Sequence, residues 1–205
     1  MSRRAHVRIM PSQPKSRYQA FWFFSYFSVT SNFSHNIFNI FEPGLFLLIM
    51  KRIETIKKLK KYFDIRELVS SKVYAFLGEH CWELFDTRLL ETLLVLRENI
   101  LKVPIVVNTW MSGGTLSQRG YRENICNIVA EKTKSNILYI SAHTLGMAVD
   151  FSSPKMTAEE MRKLINENAI KLPHQIRLED GKKAPTWVHI DVRTDDSKIK
   201  KITIF

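Results

Sequence analysis

The seven residues from Trp187 to Arg193 alternate strictly between aliphatic side chains and other types. Successive side chains of a β-strand point to opposite faces, so this run predicts a strand with one face in a core. The aliphatic face consists of Val188, Ile190 and Val192. The other face carries Trp187, His189, Asp191 and Arg193. Such a row is typical either of a functional site or of the solvent-exposed face of an antiparallel sheet, and the strand alone leaves both interpretations open.

Helical patterns dominate the chain before this strand. Apolar residues recur at helical spacing over 53–63, which predicts an amphipathic helix with a basic outer face. Asp64 and Asp86 are typical helix N-caps, and the second precedes a leucine-rich stripe over 89–100. Another helix is predicted over 121–132. The leucine stripe indicates core packing.

Short strand patterns follow the helices. Strands are predicted at 104–108, 147–151, 175–179, 187–193 and 199–205. Between them, Thr157 and Glu160 match a capping box that opens one more helix. Helices followed by short strands with tight turns predict an α+β fold, with a small, mainly antiparallel sheet and helices packed on one side.

A second cluster of polar residues lies just before one of the predicted strands. His143 and Asp150 are seven residues apart, and on one continuous strand this odd separation would place them on opposite faces. Gly146 lies between them and can supply a turn that lets both side chains converge. Two neutral imidazoles and one carboxylate are a familiar ligand set for catalytic zinc. Together with His189, this cluster predicts a zinc site.

The two clusters together resemble the motif of the zinc D-Ala-D-Ala carboxypeptidase family. That family includes VanX-like dipeptidases and phage endolysins, and it shares a fold with the hedgehog signalling domain. The matching blocks are Ser141-x-His143-x-x-Gly146-x-Ala148-x-Asp150 and Trp187-x-His189. The resemblance covers about residues 89–193, and the stretch 108–122 is similar to phage-encoded members.

The resemblance implies roles for individual residues. His143, Asp150 and His189 would be the zinc ligands, and the zinc would polarise a scissile carbonyl and acidify water. Ser141, Trp187 and either Arg119 or Arg122 would bind the substrate. Arginine suits that task because its planar guanidinium pairs with carboxylates through two parallel hydrogen bonds.

The chain departs from the family pattern at the general base. Many members carry a glutamate three residues before the second histidine, where this chain has Thr186. Asp191 is our first candidate for the catalytic base, because it shares a strand face with His189. Glu179 on the neighbouring predicted strand is the second candidate, and His174 is the third. The alternative for Asp191 is that it only orients a ligand or pairs with an arginine.

The first 49 residues differ in composition from the rest. Residues 18–41 contain no Asp, Glu, Lys or Arg but many Ser and Asn among their aromatic residues. Three interpretations remain open: a start annotated too far upstream of Met50, a membrane anchor, or an ordered element of the domain. We therefore expect an extension over 1–49 and a peptidase-like domain over 50–205, with membrane contact only if 18–41 is an anchor.

Charge and cysteine content limit the partners. Lys and Arg outnumber Asp and Glu by 31 to 20, an excess of 11 that favours anionic surroundings such as a bacterial envelope. Nucleic acid is not expected, because no zinc-finger spacing or aromatic–basic stacking motif accompanies the charge. Cys81 and Cys126 are expected to be buried thiols rather than a disulfide.

Two functions follow from these observations. The first is a monomeric zinc peptidase that cleaves peptidoglycan peptides next to D-amino acids, in cell-wall turnover or phage lysis. The bond cleaved, and the choice between endopeptidase and carboxypeptidase, stay open. The second is a non-catalytic, zinc-stabilised binding module or virion structural module, which the missing glutamate favours.

Overall fold

A computed structural model describes residues 43–134, 138–193 and 200–205. The interpretations of residues 18–41 therefore lie outside the described residues. The chain divides into two compact units, 1–46 and 47–205, and every strand that the structure describes lies in the second. Among the described residues, no helix combines the length and the apolar character needed to cross a membrane.

The helices lie mainly in the first half of the chain. The α-helices are α1 (Pro43–Leu59), α2 (Ile65–Leu68), α3 (Ser71–Leu77), α4 (Thr87–Val95), α5 (Asn127–Thr133) and α6 (Ala158–Glu167). A π-helical turn at Leu96–Ile100 continues α4, and 3-10 turns occur at Gly78–Leu84, Trp110–Ser112 and Ala169–Lys171. Helix α1 runs through position 50, where the composition of the sequence changes.

The three predicted helix N-caps, Asp64, Asp86 and Thr157, are confirmed. The side chains of Asp64 and Asp86 accept hydrogen bonds from backbone N–H groups two residues later, at 2.9 and 2.8 Å. Thr157 and Glu160 form a reciprocal capping box at the start of α6. These bonds satisfy backbone donors that the first turn of a helix leaves without partners.

Four strands form one sheet in the spatial order β1-β3-β2-β4. They are β1 (Ala148–Phe151), β2 (Ile176–Leu178), β3 (Val188–Asp191) and β4 (Ile202–Ile204). Strand β3 pairs antiparallel with both β1 and β2, whereas β4 pairs parallel with β2. The α+β class is confirmed, and the sheet is mixed.

The alternation of side chains gives the sheet two different faces. Directly paired residues of an antiparallel ladder project from the same face. One face enters the hydrophobic core, with residues Val149, Phe151, Ile176, Leu178, Val188 and Ile190 all nearly inaccessible to solvent. Leucines of α4 and apolar residues of α6 belong to the same core. The opposite face carries the predicted polar row, and it is therefore the site face.

Two predicted elements differ from the structure. Residues 104–108 form only an isolated bridge, between Val106 and Ser152, rather than a strand. Helix α5 begins at Asn127 instead of 121, because the backbone N–H groups of Tyr121 and Arg122 donate to the carbonyls of Leu68 and His143. Both segments use their backbone groups for tertiary contacts that their local sequence does not encode.

Both cysteines are free and buried, as expected. Burial raises the pKa of the Cys81 thiol to about 11. A neutral thiol in this environment behaves as a small apolar side chain.

Candidate metal centre

The three predicted ligands converge on one point. The ligand atoms of His143, Asp150 and His189 all lie within 4.8 Å of one another. Asp150 Oδ1 is 2.6 Å from His189 Nδ1 and 3.4 Å from His143 Nε2. The two ring nitrogens are 3.3 Å apart. This compact set of two imidazoles and one carboxylate could hold one metal ion.

The register of the sheet places two of these residues. Asp150 in β1 is the direct cross-strand partner of His189 in β3. Their side chains therefore leave the same face side by side, at the short range typical of paired residues in an antiparallel ladder. The sequence predicted both strands, and the pairing register that joins them is a tertiary feature.

A turn at Gly146 positions the third residue, His143. Gly146 has a φ of +66°, a left-handed conformation that glycine adopts without steric cost. A Cβ atom there would lie 1.9 Å from the carbonyl oxygen of Leu84. The N–H of Gly146 also donates to the carbonyl of His143 at 3.2 Å. The predicted turn between His143 and Asp150 is thus confirmed.

Outer contacts fix which ring nitrogen of each histidine faces the centre. His143 Nδ1 donates to the carbonyl oxygen of Gly120 at 2.8 Å, so its Nε2 lone pair points to Asp150. His189 is turned the other way: Nδ1 faces Asp150, and Nε2 lies 3.5 Å from Asp191 Oδ2. Contacts from carbonyls and carboxylates of this kind orient the histidine ligands of metal sites.

The charges within the centre are strongly coupled. Burial lowers the pKa of His143. Burial also acts against the charged form of His189, but hydrogen bonds with Asp150 and Asp191 outweigh it and raise that pKa to about 9. Burial would raise the pKa of Asp150, yet its bonds with the two imidazoles hold it well below the usual range. In the absence of a metal, His189 therefore carries the proton, which a bound metal must displace.

Asp191 is fully buried behind His189. Its Oδ1 accepts from Arg177 Nε at 3.1 Å and from the backbone N–H of Arg193 at 3.1 Å, and its Oδ2 accepts from the Arg193 guanidinium at 3.1 Å. Burial raises the pKa of Asp191, but the bonds with His189 and Arg193 outweigh this effect and lower it to about 2. Its assignment as the base stays a prediction, and these contacts match the alternative of a ligand-orienting residue.

The other two candidate bases lie in different environments. Glu179 follows β2 directly, and its backbone N–H donates to the carbonyl of His189 at 3.1 Å. It is therefore opposite His189 in the sheet, and its side chain makes no hydrogen bond or ion pair with any residue the structure describes. His174 Nε2 instead lies 2.5 Å from Glu91 Oε2, on the first turns of α4. The ring of His174 is therefore held by Glu91.

The two arginines implied by the resemblance, Arg119 and Arg122, make different contacts. Arg122 donates to Asp150 Oδ2 at 2.7 Å and to the carbonyl of Gln118 at 2.6 Å, so it holds the predicted ligand Asp150 in place. Arg119 donates to Ser152 Oγ at 3.0 Å and keeps its side chain partly accessible. Arg119 is therefore the one of this pair that is better placed to meet a substrate.

The other two residues implied for substrate binding are less accessible. Ser141 is buried, and its Oγ accepts from the backbone N–H of His143 at 3.2 Å. This bond stabilises the loop that carries His143. Trp187 is half-buried next to the start of β3, and its carbonyl accepts from the Arg162 guanidinium.

Three site residues were missed by the sequence analysis. Arg177 could have been found, because it is two residues before Glu179 and therefore projects from the same face of the sheet. In the structure it pairs directly with Asp191. Phe205 packs edge-on against the His189 ring at 5.7 Å between centroids, with the Arg177 guanidinium 4.2 Å from its ring centre. Neither Phe205 nor the carbonyl of Gly120 had a sequence signal.

A groove of about 530 Å³ lies beside the ends of β1 and β3, the strands that contain Asp150 and His189. It is lined by residues that include Ser152, Ser153, Lys155, Thr157, Glu160 and Thr186. Ser152 is the partner of Arg119, and Thr186 lies three residues before His189. The groove therefore borders the segments next to the two strands, and none of His143, Asp150 and His189 lines it.

In comparisons with protein-family models, curated proteins and solved structures, nothing matches this chain. The residues themselves fit a metal ion. Two imidazole nitrogens and one carboxylate oxygen face a common point, and each of the three side chains is oriented by an outer polar contact. Paired imidazoles are ligands for zinc and for several transition metals.

Proposed function

We propose that this chain is a zinc-dependent peptidase that cleaves peptidoglycan stems or cross-links next to D-amino acids. The observation that carries the proposal is the convergence of His143, Asp150 and His189. The motif resemblance of the sequence adds the substrate class, in cell-wall turnover or phage lysis.

The ligand set suits zinc as well as other transition metals, and the motif resemblance is the reason for proposing zinc. Catalytic zinc sites commonly use three protein ligands drawn from His and carboxylate and leave a further position open. When bound, zinc supplies a Lewis acid that polarises a carbonyl and acidifies water. The chain contributes rigidity, because Gly120, Asp191 and Arg122 each fix one of the three ligand side chains.

Substrate binding is assigned to the groove and to Arg119. A stem peptide carries free carboxylates, and the guanidinium of Arg119, which donates to Ser152 of the groove lining, can pair with one of them. Burial lowers the pKa of Arg119, but an arginine stays protonated at neutral pH despite such a shift. Ser141 and Trp187 support this region by holding the His143 loop and the start of β3.

The geometry favours Glu179 over Asp191 as the proton acceptor. Both oxygens of Asp191 already accept hydrogen bonds from arginines, and its low pKa weakens it as a base at neutral pH. Glu179 pairs with His189 in the sheet and has no described partner for its carboxylate. Asp191 then acts by holding the His189 ring.

A non-catalytic zinc-stabilised module is the second candidate function. Thr186 stands where the family pattern places its base, and the nearby carboxylate of Asp191 is committed to arginines. In that case zinc would still bind, and the groove would hold a ligand without cleaving it.

Digestion of purified peptidoglycan distinguishes the two candidates. The full chain should release peptide fragments that mass spectrometry identifies, and a chelator should abolish the release until zinc is restored. His143→Ala should be inactive, while His80→Ala should act like the parent, because His80 is exposed and its only ion pair with a described residue is the one with the exposed Glu83. Zinc binding without any released fragment would support the non-catalytic module and contradict the peptidase.

A further inference from the structure

The first turns of α1 present apolar side chains to solvent. Leu47 and Leu48 are 69% and 63% exposed, and Met50 and Ile53 are about half exposed. Leu48 lies on the same side of the helix as the buried residue Leu59, since the two are eleven residues apart. The domain core therefore covers this side near Leu59 but not at Leu48.

The later turns of α1 are fixed to the domain. The Arg52 guanidinium donates to the carbonyls of Phe85 and Trp82 at 3.0 and 2.9 Å, and to Thr87 Oγ1 at 2.6 Å. Leu59 is fully buried. The apolar turns at 47–53 are thus held in a defined position on a rigid helix.

Four lysines lie at the C-terminal end of α1 and directly after it. Lys58 shares the outward side of α1 with Leu47, about 16 Å further along at ~1.5 Å per residue, and its neighbour Lys57 is also exposed. Lys60 and Lys61 follow directly. Lys60 pairs with Glu79 at 2.8 Å and Lys58 with Glu54 at 3.9 Å, whereas Lys57 and Lys61 have no ion pair with any residue the structure describes.

We infer that residues 47–61 bind the surface of an anionic lipid bilayer. The four apolar side chains enter the boundary between headgroups and acyl chains, and the lysines contact the anionic headgroups. An apolar end followed by a basic segment matches the layering of such a surface, where each lysine adds electrostatic attraction. A protein partner would need an acidic rim around an apolar pocket, and the lipid surface supplies both chemistries at once. This inference does not rest on the proposed peptidase activity.

Flotation of the full chain with vesicles tests this surface. The chain should partition onto vesicles of phosphatidylglycerol and phosphatidylethanolamine, and not onto phosphatidylcholine vesicles. Replacing Leu47 and Leu48 together with Gln should weaken partition by about a hundredfold, at roughly tenfold for each buried leucine. Lys57→Gln and Lys61→Gln should each weaken it about fivefold, and added salt should do the same.

A matched control replaces Phe76 and Ile170 with Gln, since both are exposed apolar residues outside α1. This control should partition like the parent, and Met50→Gln with Ile53→Gln should repeat the leucine result. Equal partition onto phosphatidylcholine, or none onto phosphatidylglycerol, would overturn the inference. Unchanged partition of both α1 variants would also overturn it and assign membrane binding to residues 18–41. A concentration-dependent dimer that the leucine changes abolish, without vesicle binding, would identify a second copy as the occupant.

Discussion

Asp191→Asn tests what the buried carboxylate behind His189 does. The substitution keeps the size of the side chain but removes its charge and replaces one acceptor oxygen with a donor. Both oxygens of Asp191 now accept from arginines, and Oδ2 lies 3.5 Å from His189 Nε2. The variant therefore loses support for the His189 ring and leaves Arg177 and Arg193 without their shared anion.

The contacts give the expected magnitudes. Losing one member of a buried ion pair costs about 3–5 kcal/mol, but the partly exposed side chains of Arg177 and Arg193 can turn to water, so we expect about 2–3 kcal/mol. That corresponds to a fall in melting temperature of about 5–10 °C. Loss of an outer-shell partner typically reduces metal affinity by about 10–100-fold.

Zinc titration against a chelating dye and calorimetry measure the two effects. Asp180→Asn is the matched control, because Asp180 lies in the β2–β3 connection and, among the described residues, its side chain accepts a hydrogen bond only from the local N–H of Lys182, at 2.9 Å. A general base gives the opposite pattern: normal zinc affinity with a loss of activity of about 10²–10⁴-fold. Normal affinity and stability in Asp191→Asn would therefore refute the positioning role.

Three further predictions use other parts of the domain. Elemental analysis should find about one zinc per chain, lost in His143→Ala, and protein that takes up no zinc would contradict the metal centre. Gly146→Ala should unfold the domain or lower its melting temperature strongly, because the added Cβ meets backbone at 1.9 Å, whereas Gly113→Ala, also left-handed but in open space, should cost only about 1–2 kcal/mol. Burial alone would raise the pKa of the Glu91 carboxyl group. Its hydrogen bonds with His174 and Lys51 outweigh burial, so the pKa is lowered. The lowered pKa of Glu91 stabilises the folded state at pH values above its unfolded pKa, which is near ~4.3. This stabilisation is lost as the pH falls through the folded pKa. The gap in unfolding free energy between the parent and Glu91→Gln should therefore be full at neutral pH and shrink in acid, and a gap independent of pH would refute this assignment.

Local patterns in the sequence determined the helix N-caps, most of the strands and the three side chains of the candidate centre. Asp64 and Asp86 cap helices because a side chain close to its own backbone needs no distant partner. The period of two in β3 separated the core face from the site face, and Gly146 marked the turn before Asp150. Each of these features is encoded within a few residues, so the sequence alone predicts them.

Only the tertiary structure decided which polar groups meet. The alternation of side chains predicts that Asp191 and Glu179 project from the same face of the sheet. In the structure, Arg177 and Arg193 enclose Asp191 but do not enclose Glu179. Arg122 joins Asp150 instead of facing the groove, and β4 pairs parallel with β2. Such choices depend on strand register and on contacts between segments far apart in the chain, which hydrophobic periodicity does not specify.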